Sequence, residues 1–374
     1  MKNQRIYAQI NIGAIRQNLL NVREKIGKGV KLCAVIKADG YGHGAVEVFK
    51  NILDIADFFA VATIEEALEL RGICPDCHIL ILGYVFPEAY KDAIENDIAM
   101  TVFTLADAKK ISCEAEKIGK KARIHIALDT GMGRIGFDLS EKSLGEVFEI
   151  CSLSGIKAEG IFTHFATADE ADKAFTLNQK AEFDGFCQRL FDMGSKIPIR
   201  HIANSAAIMD FSDFNYEMVR SGIVTYGLYP SSEVIKSNLA LTPAMALKSH
   251  ISHIKTVPKG TPISYGATYK TESEATIATV PVGYADGYPR HLSNCGRVLI
   301  NGKSAQIVGR ICMDQFMADI TGISAKVGDE VILMGKSGEE EITADEIAKK
   351  AGTINYEIIC GIGKRVPRVY EFTL

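Results

Sequence analysis

Eight short apolar runs recur between residues 31 and 228, and no other feature of the chain restricts its folding as strongly. They are Lys31 to Ile36, Phe58 to Val61, Ile79 to Leu82, Ala99 to Phe103, Ile124 to Leu128, Ala158 to Phe162, Ile199 to Ala203 and Ile223 to Leu228. Most are rich in Val, Ile and Phe and too short for core helices, so they read as strands buried on both faces, as in a parallel sheet. Helical patterns lie between them. Ile12, Ile15, Leu19, Val22 and Ile26 step by three and four residues ahead of the first run. Thr63 with Glu66 forms a capping box, and Thr104 with Asp107 is a near-match. Strand and helix alternating eight times suggests a (β/α)8 barrel, although a doubly wound sheet has the same alternation.

After about Pro230 the rhythm changes. Strand-like stretches such as Thr276 to Val282, Arg297 to Ile300 and Val331 to Met334 sit between Gly- and Pro-containing turns. Only Thr343 with Glu346 marks another helix start. A mainly β domain therefore follows, with the boundary near residues 230–242.

Composition narrows the partners. The formal net charge is −4 with no basic block, which argues against nucleic acid or an anionic membrane surface. No apolar run reaches membrane-spanning length, and Met1 to Arg5 leads into no signal-like segment, so a soluble, cytoplasmic protein is expected. The nine cysteines are scattered apart from Cys74-Pro-Asp-Cys77. With no second pair and no spaced histidines, no metal is expected, and the thiols read as small hydrophobes of a reducing compartment.

The sharpest local signal is Val35-Ile36-Lys37-Ala38-Asp39-Gly40-Tyr41-Gly42-His43-Gly44. Lys37 falls at the C-terminal end of the first predicted strand, the rim where barrel enzymes keep their chemistry. A strand-end lysine is commonly just a solvated rim residue, but one with a lowered pKa can form a Schiff base. The segment resembles the pyridoxal-phosphate lysine signature of the alanine racemase-like family, with Gly40 in place of the usual alanine. Further segments match the family in order and spacing. They are Asp129-Thr130-Gly131-Met132-Gly133-Arg134-Ile135-Gly136, Thr163 to Asp169, Asn204-Ser205-Ala206, Val219 to Gly227 and Ser264 to Tyr269. Val282 to Tyr288, Val308 to Gln315, Asn355-Tyr356-Glu357 and Arg365 to Arg368 complete the set. The resemblance spans essentially the whole chain, and it selects the barrel over the doubly wound sheet. The expected division is an N-terminal strand at 1–10 packing with the C-terminal domain, a cofactor-binding barrel at 11–235, and the β domain at 236–374.

The resemblance also implies roles. Lys37 would carry pyridoxal 5'-phosphate covalently and act as one catalytic base. Tyr265 would be the other, entering from the second subunit of a homodimer, since racemisation needs a base on each face of a planar carbanion. Arg220 would face the pyridine nitrogen as a donor that keeps its proton. With His164 it would help stabilise the Tyr265 phenolate. Tyr41, Asn204, Ser205, Tyr356 and the N–H groups of Gly222 and Ile223 would complete the cofactor site, most of them at its phosphate. Arg134 and the Met313 backbone would bind the substrate carboxylate. Asp169, His201, Arg290, Arg310 and Ile354 would line the entrance, with Ile354 and Tyr356 crowding out side chains larger than methyl. Many relatives support the arginine with a carbamylated lysine; here that position is Ala127.

Other readings are weaker. Gly131 to Gly136 also fits the dinucleotide pattern G-x-G-x-x-G, but the strand that follows ends in Thr163-His164 rather than in an acid. Gly335-Lys336-Ser337 lacks the first glycine of a phosphate loop, Glu330 standing there, and His43 and His250 read as structural. A serine racemase of the same family, a non-catalytic pyridoxal-phosphate carrier and a barrel decarboxylase are the rivals. A carrier lacks the β domain, and Arg220 speaks against decarboxylation. The family's usual role is to supply D-alanine for peptidoglycan.

Overall fold

The computed structural model describes residues 5–373, so residues 1–4 of the expected N-terminal segment, and Leu374, lie outside the described residues. The chain forms two compact units. One comprises Ile15–Gly40 and Ala45–Thr242; the other takes the residues up to Ala14, Tyr41–Gly44 and those from Pro243 onward.

Strand β1 (Ile6–Asn11) belongs to the second unit. The first unit is built on eight parallel strands: β2 (Lys31–Val35), β3 (Phe58–Val61), β4 (His78–Ile81), β5 (Ala99–Val102), β6 (Ala122–Ala127), β7 (Ile156–Phe162), β8 (Ile199–His201) and β9 (Met218–Ser221). Their order is β8-β7-β6-β5-β4-β3-β2-β9. Between the two ends of that order, the Arg220 N–H donates to Ala203 O at 3.0 Å, which nearly closes the barrel. Strands β3, β5 and β6 are buried at every residue, the expected consequence of helices outside and packed side chains inside.

The helices start where the caps predicted. Thr63 accepts from Glu66 N ahead of α1 (Ile64–Arg71), and Thr104 from Asp107 N ahead of α2 (Leu105–Ile118). Ser140 opens α3 (Glu141–Ser152), while α4 (Ala174–Asp192) and α5 (Ser205–Asp210) follow β7 and β8. One expected strand is corrected. Residues 223–226 form a 3₁₀ turn, and the last barrel strand is β9 just before it. Buried polar Arg220 and Ser221 hide β9 from a count of apolar residues.

In the second unit, β1 pairs antiparallel with β10 (Met245–His250) and parallel with a final strand at Arg368–Glu371. The sheet continues through antiparallel pairings to β11 (His253–Val257) and β12 (Ala275–Val280). One hydrophobic cluster here comprises Val257, Ile263, Ala275, Ile277 and Val308. Thr343 caps α6 (Ala344–Ala351) as expected, and a second helix, α7 (Asn355–Cys360), was not foreseen. Its six residues are too few for a periodic pattern.

Candidate active site

Lys37 leaves the C-terminal end of β2, where Ile36 N still donates to Ala60 O at 2.9 Å. The chain then turns left-handed, with φ of 53° at Ala38, 53° at Asp39 and 60° at Gly40. Two consecutive non-glycine residues in that region cost on the order of 1–2 kcal/mol each, so neighbours must hold them there. Glu66 does so: its carboxylate accepts from Ala38 N at 2.7 Å and from Ala62 N at 2.8 Å. Asp39 closes the turn by accepting from Ala45 N at 2.9 Å. The half-buried Lys37 is thus fixed at its base by a residue that the sequence marked only as part of a helix cap.

Arg220 projects from β9 into the barrel interior, 4% exposed. Its Nη1 donates to His201 O at 2.6 Å and faces His201 Nδ1 at 2.9 Å. Its Nη2 donates to Thr163 O at 3.0 Å and Ile202 O at 3.3 Å, and faces His164 Nδ1 at 3.3 Å. The ring of Phe162 lies beneath the guanidinium at 5.4 Å. Among the described residues it makes no ion pair with a carboxylate, and burial pulls its pKa down to about 10, still charged at neutral pH. A guanidinium only donates, so His164 Nδ1 is an acceptor and its proton sits on Nε2. Burial, reinforced by Arg220, Arg134 and Lys37, pushes His164 down to about 3. All three side-chain charges bearing on this neutral imidazole are positive.

The loop after β6 carries Arg134. Asp129 Oδ1 accepts from Gly131 N and Gly133 N at 2.9 and 3.0 Å. At Gly136, φ is 134° and an added Cβ would lie 2.3 Å from Asp129 N, so only glycine closes this loop. The fully buried Gln179 on α4 ties it to the loop after β7, donating to Thr130 Oγ1 and His164 O and accepting from Ala166 N. Arg134 itself is exposed and makes no hydrogen bond or ion pair among the described residues, and Ala127 at the end of β6 offers it none.

The expected phosphate donors of this unit lie together. Gly222 N donates to Ser205 Oγ at 3.0 Å, and Asn204 caps α5 by accepting from Ala207 N at 3.0 Å. Ile223 follows directly in the 3₁₀ turn. Asp169 is part-exposed at the rim, where its carbonyl accepts from Ser231. His201 is a correction. Expected at the entrance, it is fully buried in the barrel interior against Phe162, because it stands on a strand rather than on a loop.

In the other unit Tyr265 is 71% exposed on a turn in which Ser264, Gly266 and Ala267 all have positive φ. Ser264 Oγ ties that turn to Arg310 O at 2.6 Å. Tyr265 and Met313 line a shared depression of about 680 Å³ with Cys312 and Asp314. The Met313 carbonyl accepts from Ala285 N at 3.0 Å, and a Cβ at Gly283 would lie 2.2 Å from it. Arg290, Arg310 and Ile354 are exposed. Tyr41 is buried, its phenol pushed up by that burial, with its ring 6.3 Å from that of Tyr356 on α7.

A barrel rim that offers a strand-end lysine amid arginines and a neutral histidine suits a cofactor bearing an aldehyde and anionic groups. That defines a barrel enzyme dependent on pyridoxal phosphate. Comparison with known proteins names the family. The family described as "Alanine racemase, N-terminal domain" matches residues 10–230, and "Alanine racemase, C-terminal domain" matches 244–370. An alanine racemase of Desulforamulus reducens is 50% identical over 367 residues, covering 98% of each chain. One of Methanococcus maripaludis is 47% identical over 372 residues, covering 99% of this chain and 100% of its own. The solved alanine racemase of Clostridium difficile 630 superposes with a TM-score of 0.95 at 49% identity, covering 100% of this chain and 97% of its own. The chain belongs to the alanine racemase family, whose enzymes use pyridoxal phosphate.

Proposed function

We infer that this chain interconverts L- and D-alanine, with Lys37 and Tyr265 as its two bases. The observation that carries the reading is the all-positive surround of neutral His164, built from Lys37, Arg134 and Arg220. It suits the aldehyde and ring nitrogen of pyridoxal phosphate and the carboxylate of an amino acid. Bound there, the cofactor supplies the sink for the electron pair left on the α-carbon.

The protein's share is placement and proton transfer. The Lys37 amine takes the α-proton on one face or returns it, while the Tyr265 hydroxyl does the reverse on the other. Arg220 would face the ring nitrogen of the cofactor and, keeping its own proton, would donate to it rather than protonate it. Asn204, Ser205 and the N–H groups of Gly222 and Ile223 bind at the phosphate, and Tyr41 and Tyr356 are its further hydroxyl donors. Arg134 and the Met313 backbone receive the substrate carboxylate. Asp169, Arg290, Arg310 and Ile354 border the entrance.

Tyr265 and Met313 are supplied by a second copy in a homodimer. Their 71% and 54% exposure in the isolated chain supports this, since it leaves both open to contact from outside. No helix among the described residues is long and apolar enough to cross a membrane, and all nine cysteines are free. A cytoplasmic enzyme that supplies D-alanine for peptidoglycan fits both.

Incubating purified protein and pyridoxal phosphate with L-alanine or L-serine, then assaying the D-enantiomer, tests the reading. Rapid D-alanine with little D-serine is expected. Dominant D-serine would move the substrate, and cofactor-loaded protein yielding neither would overturn the racemase.

A further inference from the structure

Behind Arg220 the barrel interior carries a line of polar side chains that the chemistry above does not use. His201 Nε2 lies 2.8 Å from His125 Nδ1, both rings fully buried. His125 Nε2 lies 3.7 Å from Glu159 Oε2 and has no hydrogen-bond partner. Glu159 is held by Arg123 at 2.7 Å, and Arg123 in turn by Asp97 at 2.9 Å. Gly160, beside Glu159, makes room: an added Cβ there would sit 2.2 Å from His125 Nδ1.

The protons in this line have only one arrangement. Arg220 cannot accept, so His201 Nδ1 must, and its proton is therefore on Nε2. That proton points at His125, whose Nδ1 must then accept, leaving the His125 proton on Nε2 facing Glu159. Charging either ring would set N–H against N–H. Burial drives both imidazoles to the neutral form, in step with that geometry. The dipoles are therefore aligned from the Glu159 anion to the Arg220 cation.

We propose that His125 and Glu159 are positioning residues for Arg220, acting through His201 as the remote counter-charge of a guanidinium that has no carboxylate of its own. The proposal rests on the reading of Arg220 as the cofactor's partner. Other charges face the line's two ends. Lys157 and His78 surround the Glu159–Arg123 pair, while Cys33, Arg134 and His164 surround Arg220. None of these is negative at neutral pH, and the line's own carboxylates, Glu159 and Asp97, both sit at its far end. A line aligned this way steadies both the plane and the charge of Arg220 against whatever binds in front of it.

The test measures pyridoxal-phosphate affinity of apoenzyme by absorbance titration, and the pH at which the bound cofactor's absorbance changes in holoenzyme. His125→Phe and Glu159→Gln are each expected to weaken affinity about tenfold, the usual size of an outer-shell effect. Each should also move the absorbance midpoint downward, because an uncompensated cation disfavours protonation beside it. Phe58→Leu, next to His125 but outside the line, should lower the melting temperature while leaving both readings at their wild-type values. Arg220→Ala separates the failures. If it weakens affinity while the His125 and Glu159 variants leave both readings unchanged, the positioning role is wrong. If Arg220→Ala changes nothing either, the reading of Arg220 falls as well. Should the variants not fold, ¹⁵N-histidine NMR of the wild-type holoenzyme decides. Neutral Nε2–H rings at His125 and His201 are expected, and an Nδ1–H tautomer or a charged ring at neutral pH overturns the proposal.

Discussion

The two units carry their candidate site residues in opposite ways. In the barrel unit the residues, exposed Arg134 apart, are held from behind. Arg220 has five polar contacts, Gln179 spans two loops, and Glu66 clasps the strained turn after Lys37. In the β unit Tyr265, Met313, Arg310 and Ile354 stand in solvent, secured by the backbone beneath them. The contrast separates two tasks. Binding a cofactor demands preorganisation within one fold, whereas a residue that serves another copy, as proposed for Tyr265 and Met313, need only be presented.

If that division is right, changes in the barrel unit alter cofactor binding and changes at Tyr265 do not. The largest effect is expected from Lys37→Ala, which should remove the bound cofactor's visible band and lower the racemisation rate by roughly 10³ or more. Tyr265→Phe should leave the band intact yet slow proton abstraction from L-alanine by about 10²-fold or more, read as exchange of the α-hydrogen in each direction. Undiminished rates would break the comparison at its second half. Mixing these two inactive variants sharpens it further. If Tyr265 acts in trans, each mixed dimer has one intact site, so a 1:1 mixture reassembled at random should recover roughly a quarter of wild-type activity, and no recovery would put both bases in one chain.

A smaller effect belongs to Glu66→Ala. Releasing the left-handed turn should weaken pyridoxal-phosphate affinity about tenfold and cost about 1–3 kcal/mol of stability, measured by titration and denaturant unfolding. The gentlest test varies pH. His164 is neutral in the fold down to about 3, and His125 and His201 are likewise pushed below their ordinary value. An unfolded histidine takes a proton near pH 6.5, so acid favours the unfolded state. Stability should be complete above that pH and fall as pH drops toward 3, with each neutral histidine contributing up to about 1.4 kcal/mol per pH unit. A flat profile across that window would remove these histidines from the neutral interior.

Much of this was legible in the chain, and the gaps have physical causes. Strands β2 to β5 announce themselves because burial on both faces leaves apolar runs, β6 and β7 show through their apolar C-terminal halves despite Arg123 and Glu159, and the Thr63, Thr104 and Thr343 caps are local chemistry. Barrel closure is not local. It depends on β9 pairing with β2 across some 185 residues of chain, which no periodicity encodes. Lys37, Arg220 and Tyr265 came from motif resemblance. Glu66, Gln179 and His125 escaped it because each works through a partner that sequence spacing does not reveal. His201 departs from the expected entrance for another reason: it closes strand β8, so its side chain is carried into the barrel interior.

The pairing of β1 with strands at Met245–His250 and Arg368–Glu371 has a consequence during synthesis. The barrel's segments are all translated by Thr242, but β1 is made ahead of them and its second partner well after them. At about 5–20 residues per second, Ile6, Ala8 and Ile10 wait on the order of ten seconds or more without their sheet. They are at most 1% exposed once folded, so the nascent chain displays a sticky ribbon ahead of the barrel until the later strands are made. A stalled ribosome, or a chain released before residue 368, would leave that ribbon open to edge-to-edge aggregation.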